Sequence, residues 1–209
     1  MRIQDAYTRW STTYDSDRNL TRDLDEMATR HALLSGSYES VMEMGCGTGK
    51  NTALLSRISR KILAVDFSSG MLKQAKEKID HENVLFVVAD LTKPWPCKSQ
   101  AFDLIVCNLV LEHIEDLTAV FAQASLALAN GGLFFISELH PFRQYQGTQA
   151  VFQNDRETVR IRAFVHHLSA FTDSAEQSGF VLRRMKEWWH EEDQNKLPRL
   201  VSFMFEKPH

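Results

Sequence analysis

One decapeptide constrains this chain more than any other: Val41-Met42-Glu43-Met44-Gly45-Cys46-Gly47-Thr48-Gly49-Lys50. Its apolar start reads as a buried strand, and its three alternate glycines read as a tight turn that hands the chain to a helix. A turn bare of side chains lets a ligand reach the backbone N–H groups at a helix N-terminus. Asp66 ends the next apolar run, Lys61-Ile62-Leu63-Ala64-Val65, about twenty residues beyond Gly45, where an open α/β sheet presents an acid to ribose hydroxyls. Turn and acid together point to a nucleoside cofactor.

The spacing separates the cofactor classes. A phosphate-cradling loop needs glycine, four residues, Gly-Lys and then Ser or Thr, but Met44 stands at the first position and Asn51 at the last. A dinucleotide turn wants G-x-G-x-x-G, whereas Gly45, Gly47 and Gly49 give G-x-G-x-G with Lys50 in place of the third glycine. An NAD-dependent oxidoreductase is thereby weakened and stays as an alternative.

Around this motif the periodicity switches regularly. Strands are predicted at 41–45, 61–66, 83–89, 103–108 and 132–138, and helices at 49–60, 69–79 and 114–129. Such alternation predicts a parallel sheet covered on both faces, with ligands at the carboxyl ends of its strands. Helical spacing over Ile3 to Tyr14 and Leu20 to Leu34, with Thr21 as cap, places helices ahead of the first strand. Past His140-Pro141, two runs around Asn154-Asp155-Arg156-Glu157 read as a hairpin. A helix from Ser169 to Gln177 and strands over Phe180 to Trp189 and Arg199 to Phe205 complete the chain.

In order, the motifs resemble those of the class I S-adenosylmethionine-dependent methyltransferases, of the small-molecule kind that includes quinone-biosynthesis enzymes. The residues that carry the resemblance are Glu43-x-Gly45-x-Gly47-x-Gly49, Asp66-Phe67-Ser68-Ser69-Gly70-Met71-Leu72, Ala89-Asp90-Leu91, Ala101 through Ile114, and Asn130-Gly131-Gly132. The resemblance implies an α/β, Rossmann-like, doubly wound seven-stranded sheet, mostly parallel with an antiparallel edge. It implies one domain over 1–209, with residues 1–36 as a helical lid and 140–168 as a roof over the substrate.

It also implies methyl transfer from S-adenosyl-L-methionine to an oxygen or nitrogen, with carbon as a further option, of a small-molecule acceptor. A non-catalytic S-adenosylmethionine-binding protein is the other alternative. The implied cofactor residues are Glu43, Gly45, Gly47 and Gly49 in the turn, Asp66, Phe67 and Met71 after the second strand, Asp90 and Leu91 after the third, Asn108 and Leu109 after the fourth, and Tyr14 from the lid. Candidate general bases for a hydroxyl acceptor are His140, His166 and His167.

Composition narrows the partners. A net charge of -3 over 209 residues supplies no field to gather nucleic acid. The odd set Cys46, Cys97 and Cys107 without C-x-x-C spacing suits a reducing cytoplasm. No apolar run reaches membrane-spanning length, no metal-ligand spacing stands out, and the expected assembly is a monomer or dimer.

Overall fold

The computed structural model describes residues 2–153, 158–193 and 196–209. Strands Val41–Met44 (β1), Ile62–Asp66 (β2), Val84–Val88 (β3), Phe102–Asn108 (β4) and Leu128–Leu139 (β5) pair in parallel. Joined by Val181–Trp188 (β8) and Leu200–Glu206 (β9), they form one seven-stranded sheet in the order β3-β2-β1-β4-β5-β9-β8. The expected antiparallel edge is built by the last two strands. β9 runs antiparallel between β5 and β8, so the outermost strand again points the same way as the parallel set.

Alternating side chains divide the core between the two faces of the sheet. Met42, Met44, Ile105, Phe134 and Phe203 point to the side covered by Leu117–Ala127 (α5) and Leu168–Gln177 (α7), where they meet Phe121, Phe171 and Ala175. Val41, Ala64, Leu104, Val106 and Phe135 point to the other side, where they meet Leu33 of Leu20–Leu33 (α2), Leu55 of Thr52–Ile58 (α3) and Leu72 of Ser69–Lys78 (α4). Helices on opposite faces leave a crevice at the carboxyl ends of β1 and β4, where the winding changes direction.

Capping explains several boundaries. The side chain of Asn19, not Thr21, caps α2 by accepting from the N–H groups of Thr21 and Arg22. Ser68 caps α4 and Asp116 caps α5 in the same way. The first helix, Ile3–Trp10 (α1), is shorter than its periodicity suggests, and Tyr14 lies in the turns that follow it. The predicted helix at 114–129 is α5, preceded by a separate 3-10 turn at Leu111–His113.

In the 140–168 segment a short helix, Pro141–Tyr145 (α6), appears where a simple break was expected. Proline at its first turn loses no hydrogen bond, and the His140 side chain accepts from the Phe142 N–H. The hairpin pairs Val151–Gln153 (β6) with Thr158–Arg160 (β7); its predicted turn at 154–157 lies outside the described residues. Ile161 follows β7 and is buried against Ala6 and Trp10, so the hairpin region packs onto α1.

Phe121 is fully buried and meets Phe134, Phe180 and Phe205 edge-on. Phe121→Ala is expected to cost about 3–5 kcal/mol through the cavity it leaves. Urea unfolding monitored by circular dichroism checks this, and a loss below 1 kcal/mol would show that the α5 side of the core can collapse around the gap.

Candidate active site

The glycine turn after β1 is held open by geometry that only glycine tolerates. Gly45 has φ 65°, and a Cβ there would lie 2.2 Å from Cγ2 of Val110. Gly47 has φ 54° and nothing within 4 Å of the place a Cβ would take. The turn is tied to the end of β2, because the Gly47 N–H donates to Oδ2 of Asp66 at 2.9 Å while the Ser68 N–H donates to Oδ1 at 2.8 Å. Beneath it, Thr52 at the start of α3 donates to Glu43 at 2.5 Å.

Glu43, Gly45, Gly47 and Asp66 border a cavity of about 510 Å³ at the carboxyl edge of the sheet. That volume is within the usual range for a site enclosing a small organic cofactor. On the β2 and β3 side its walls include Asp66, Phe67, Met71, Asp90 and Leu91. On the β4 side they include Asn108, Leu109, Val110, His113 and Ile114. Leu109 adopts φ 56°, a strained conformation for a branched residue, and its N–H is held by the Ser137 carbonyl at 2.9 Å. The Asn108 amide donates to Asp25 and Thr29, both at 2.8 Å, while its carbonyl oxygen is buried without a hydrogen-bond partner.

The N-terminal segment closes the remaining side with Ile3, Tyr7 and Tyr14. It is pinned to the loops it covers. Gln4 donates to the Phe67 carbonyl at 2.6 Å, Thr8 and Ser68 share a hydroxyl contact at 2.9 Å, and Thr48 donates to Asp15 at 2.7 Å. Arg22 from α2 lies 4.0 Å over the Tyr14 ring and donates to the carbonyls of Tyr14 and Asp17. Its Nε is buried and unpartnered, and among the described residues no carboxylate pairs with it. Lys50, also on the cavity wall, is instead paired with Asp23 and Glu26.

Of the residues singled out from sequence, Glu43, Gly45, Gly47, Asp66, Phe67, Met71, Asp90, Leu91, Asn108, Leu109 and Tyr14 all border this cavity. Gly49 does not. A Cβ there would lie 2.5 Å from Cδ1 of Ile79 and 3.3 Å from Ala75, so Gly49 lets the turn sit against the end of α4.

His140, His166 and His167 also lie off the cavity wall, and each is occupied. His140 is buried against Glu187 at 2.9 Å, His166 faces the carbonyls of Leu111 and Ile114, and His167 meets the Tyr145 hydroxyl at 2.5 Å. No described residue of the 140–168 segment borders the cavity; its Ile161 is buried against Ala6 and Trp10 of α1. The histidine that does border it is His113, which sequence reading passed over inside the Leu111-Glu112-His113-Ile114 motif. Arg22 and Asp25 were missed as well, because helical periodicity marks them only as polar positions.

Residues 42–136 match the methyltransferase domain family. Over 194 residues the chain is 29% identical to the biotin biosynthesis bifunctional protein BioHC of Saccharophagus degradans, covering 88% of this chain and 33% of that protein. It is 27% identical over 189 residues to a malonyl-[acyl-carrier protein] O-methyltransferase of Methylovorus sp., covering 86% of this chain and 63% of the relative. The chain thus spans between one third and about two thirds of the length of these two relatives. The crystal structure of an S-adenosylmethionine-dependent methyltransferase from Mesorhizobium loti superposes with a TM-score of 0.73 at 20% identity, over 90% of this chain and all of the other. The family resemblance carried by the ordered motifs is borne out. Residues 42–136 match a methyltransferase domain, and the chain has the fold of the class I S-adenosylmethionine-dependent methyltransferases.

Buried carboxyls under the cavity give the site its electrostatic character. Burial pushes Asp66 up to about 6 against the two N–H groups that favour its charge. Burial likewise pushes Glu112 up to about 7, and Glu43 and Glu138 up to about 8. Each of these groups binds its proton more tightly folded than unfolded, so folded protein holds more protons between the ordinary carboxyl range and these values. Stability is therefore expected to be fully supported below that range, to fall as pH rises from about 4 to 8, and to level off above. Denaturant unfolding across this window should show the fall, and Glu43→Gln should make it shallower across the window while Glu112 and Glu138 sustain the remainder; a stability rising with pH would contradict these protonation states.

Proposed function

We propose that this protein transfers the methyl group of S-adenosyl-L-methionine to an oxygen or nitrogen of a small molecule. The observation that carries the reading is the clamp between Gly47 and Asp66 at the edge of a cavity into which the absent Cβ of Gly47 opens. Oxygen is favoured as the acceptor atom by the O-methyltransferase relative.

The residues present fit this cofactor. An ionised carboxylate accepts at up to four positions, so Asp66, with two taken by backbone N–H groups, retains capacity for both ribose hydroxyls. Phe67, Met71 and Leu91 would border the adenine, and Asp90 would accept from its amino group. Gly45, Glu43, Asn108 and Leu109 would surround the methionine portion, with the unpaired guanidinium of Arg22 for its carboxylate and Tyr14 above. Gly49 would shape the turn without touching the cofactor.

When bound, the cofactor supplies a methyl group already activated by a cationic sulfur. The protein's own work is then to align the acceptor and exclude water. α1 with Tyr14 would act as the lid, held by Gln4, Thr8 and Asp15, while the 140–168 segment would stiffen that lid from outside. Specificity would accordingly be set by the lid and by Val110, His113 and Ile114.

An NAD-dependent oxidoreductase finds less support, since the antiparallel β9 within the sheet departs from the dinucleotide-binding pattern and Lys50 removes its third glycine. No helix among the described residues is long and apolar enough to cross a membrane. A reducing cytoplasm would suit the three free cysteines.

Calorimetry should show S-adenosylhomocysteine binding with NAD far weaker. Asp66→Asn keeps the size of the side chain and is expected to weaken that binding about tenfold or more, the equivalent of 1.5–3 kcal/mol for a lost charged acceptor. Tight NAD binding without S-adenosylhomocysteine binding would reverse the assignment.

A further inference from the structure

The cavity holds an acid–base pair that no cofactor contact uses. Nδ1 of His113 lies 3.0 Å from the Arg162 carbonyl oxygen, which can only accept. The imidazole therefore carries its proton on Nδ1, and its Nε2 lone pair accepts from the Tyr7 hydroxyl at 2.7 Å. The tautomer is set by the main chain of the segment that follows β7, and the hydroxyl is brought by α1. Both side chains border the cavity.

Tyr7 stands between the two ends of the site. Its ring meets Phe67 at 5.9 Å on one side and Tyr14 at 6.4 Å on the other, with His113 edge-on at 5.3 Å. The adjoining wall is apolar, formed by Ile3, Val110 and Ile114. Burial holds the imidazole pKa below its ordinary value, so it is neutral and free to accept at neutral pH. The groups facing the pair are Tyr14 on the lid, Asp66, Glu138 and Glu112, the last with Oε1 3.7 Å from Nε2. An imidazolium formed at His113 would gain chiefly from Asp66, pushed up only to about 6, since Glu112 and Glu138, pushed up to about 7 and 8, keep much of their protons at neutral pH.

We propose that Tyr7 and His113 form a proton relay for a neutral hydroxyl acceptor, phenol-like in its flat apolar body. This rests on the methyltransferase reading and names its substrate class. As the acceptor oxygen forms its bond to the methyl carbon, the carbon–sulfur bond breaks with its electron pair going to sulfur. The acceptor's proton passes to the Tyr7 oxygen, and the Tyr7 proton passes to Nε2 of His113, leaving imidazolium, neutral Tyr7 and methyl ether. A carboxylate acceptor is already ionised at neutral pH and would leave this pair without a task.

The probe is 4-nitrophenol, whose phenolate absorbs separately from its neutral form. It is titrated into protein saturated with S-adenosylhomocysteine, at a pH where the free dye is mostly neutral. The wild type is expected to show bound phenolate in at least tenfold excess over the free dye's ionised fraction. Tyr7→Phe, which keeps the ring, and His113→Asn are expected to bind S-adenosylhomocysteine within about threefold of wild type yet lose that phenolate excess. Dye that does not bind, that binds neutral, or that ionises equally in both variants would overturn the relay. If S-adenosylhomocysteine fails to bind wild type before dye is added, the methyltransferase reading falls first.

Discussion

Everything in the site follows from the reversal of winding between β1 and β4. Because α3 and α4 cover one face of the sheet while α5 covers the other, the loops after β1 and β4 diverge and leave a gap that no helix fills. Main-chain groups at that gap cannot pair within the sheet, so they must be satisfied by side chains or a ligand. Asp66 answers for Gly47 and Ser68, and Glu138 answers for the N–H groups of Val110 and Leu111 at 2.8 Å each. The two acids shape the two loops that bound the cavity.

That arrangement carries an electrostatic cost. Asp25, Glu43, Asp66 and Glu138 are all nearly inaccessible, and burial raises the pKa of each. Glu43 and Glu138 avoid much of that cost by keeping their protons at neutral pH, whereas Asp66, pushed up only to about 6, stays mostly ionised at the cavity. Arg22 shows the complementary choice. It is buried with carbonyl partners and an aromatic platform, and its charge is left available at the cavity.

α1 and the turns after it are coupled to the loop after β2 and to the glycine turn through specific contacts. Thr8, Ser11 and Gly70 are packed so closely that a Cβ on Gly70 would come within 3.0 Å of the Thr8 carbonyl. The hydrogen bonds of Gln4 to Phe67 and of Thr48 to Asp15 join the same elements. Movement of the N-terminal segment therefore requires release of its contacts to the β2–α4 loop and to the glycine turn together.

The sequence by itself determined the parallel sheet, the glycine turn and the acid at the end of β2, because these rest on local periodicity and on conformations only glycine adopts. Eleven of the twelve residues read as cofactor contacts border one cavity, since strand ends bring consecutive motifs together wherever the sheet is parallel. Gly49 kept its place in the motif but turned toward α4, a packing partner that the turn alone does not reveal. Only the tertiary structure decided which histidine meets the cavity. His113 is selected by a tyrosine 106 residues earlier and a carbonyl 49 residues later, while His140, His166 and His167 find partners elsewhere. Arg22 likewise becomes a cavity residue only when α2 folds against the turn holding Tyr14. Local pattern reports how each segment bends and which face it buries; the meeting of distant polar groups depends on the distances that the packed sheet imposes.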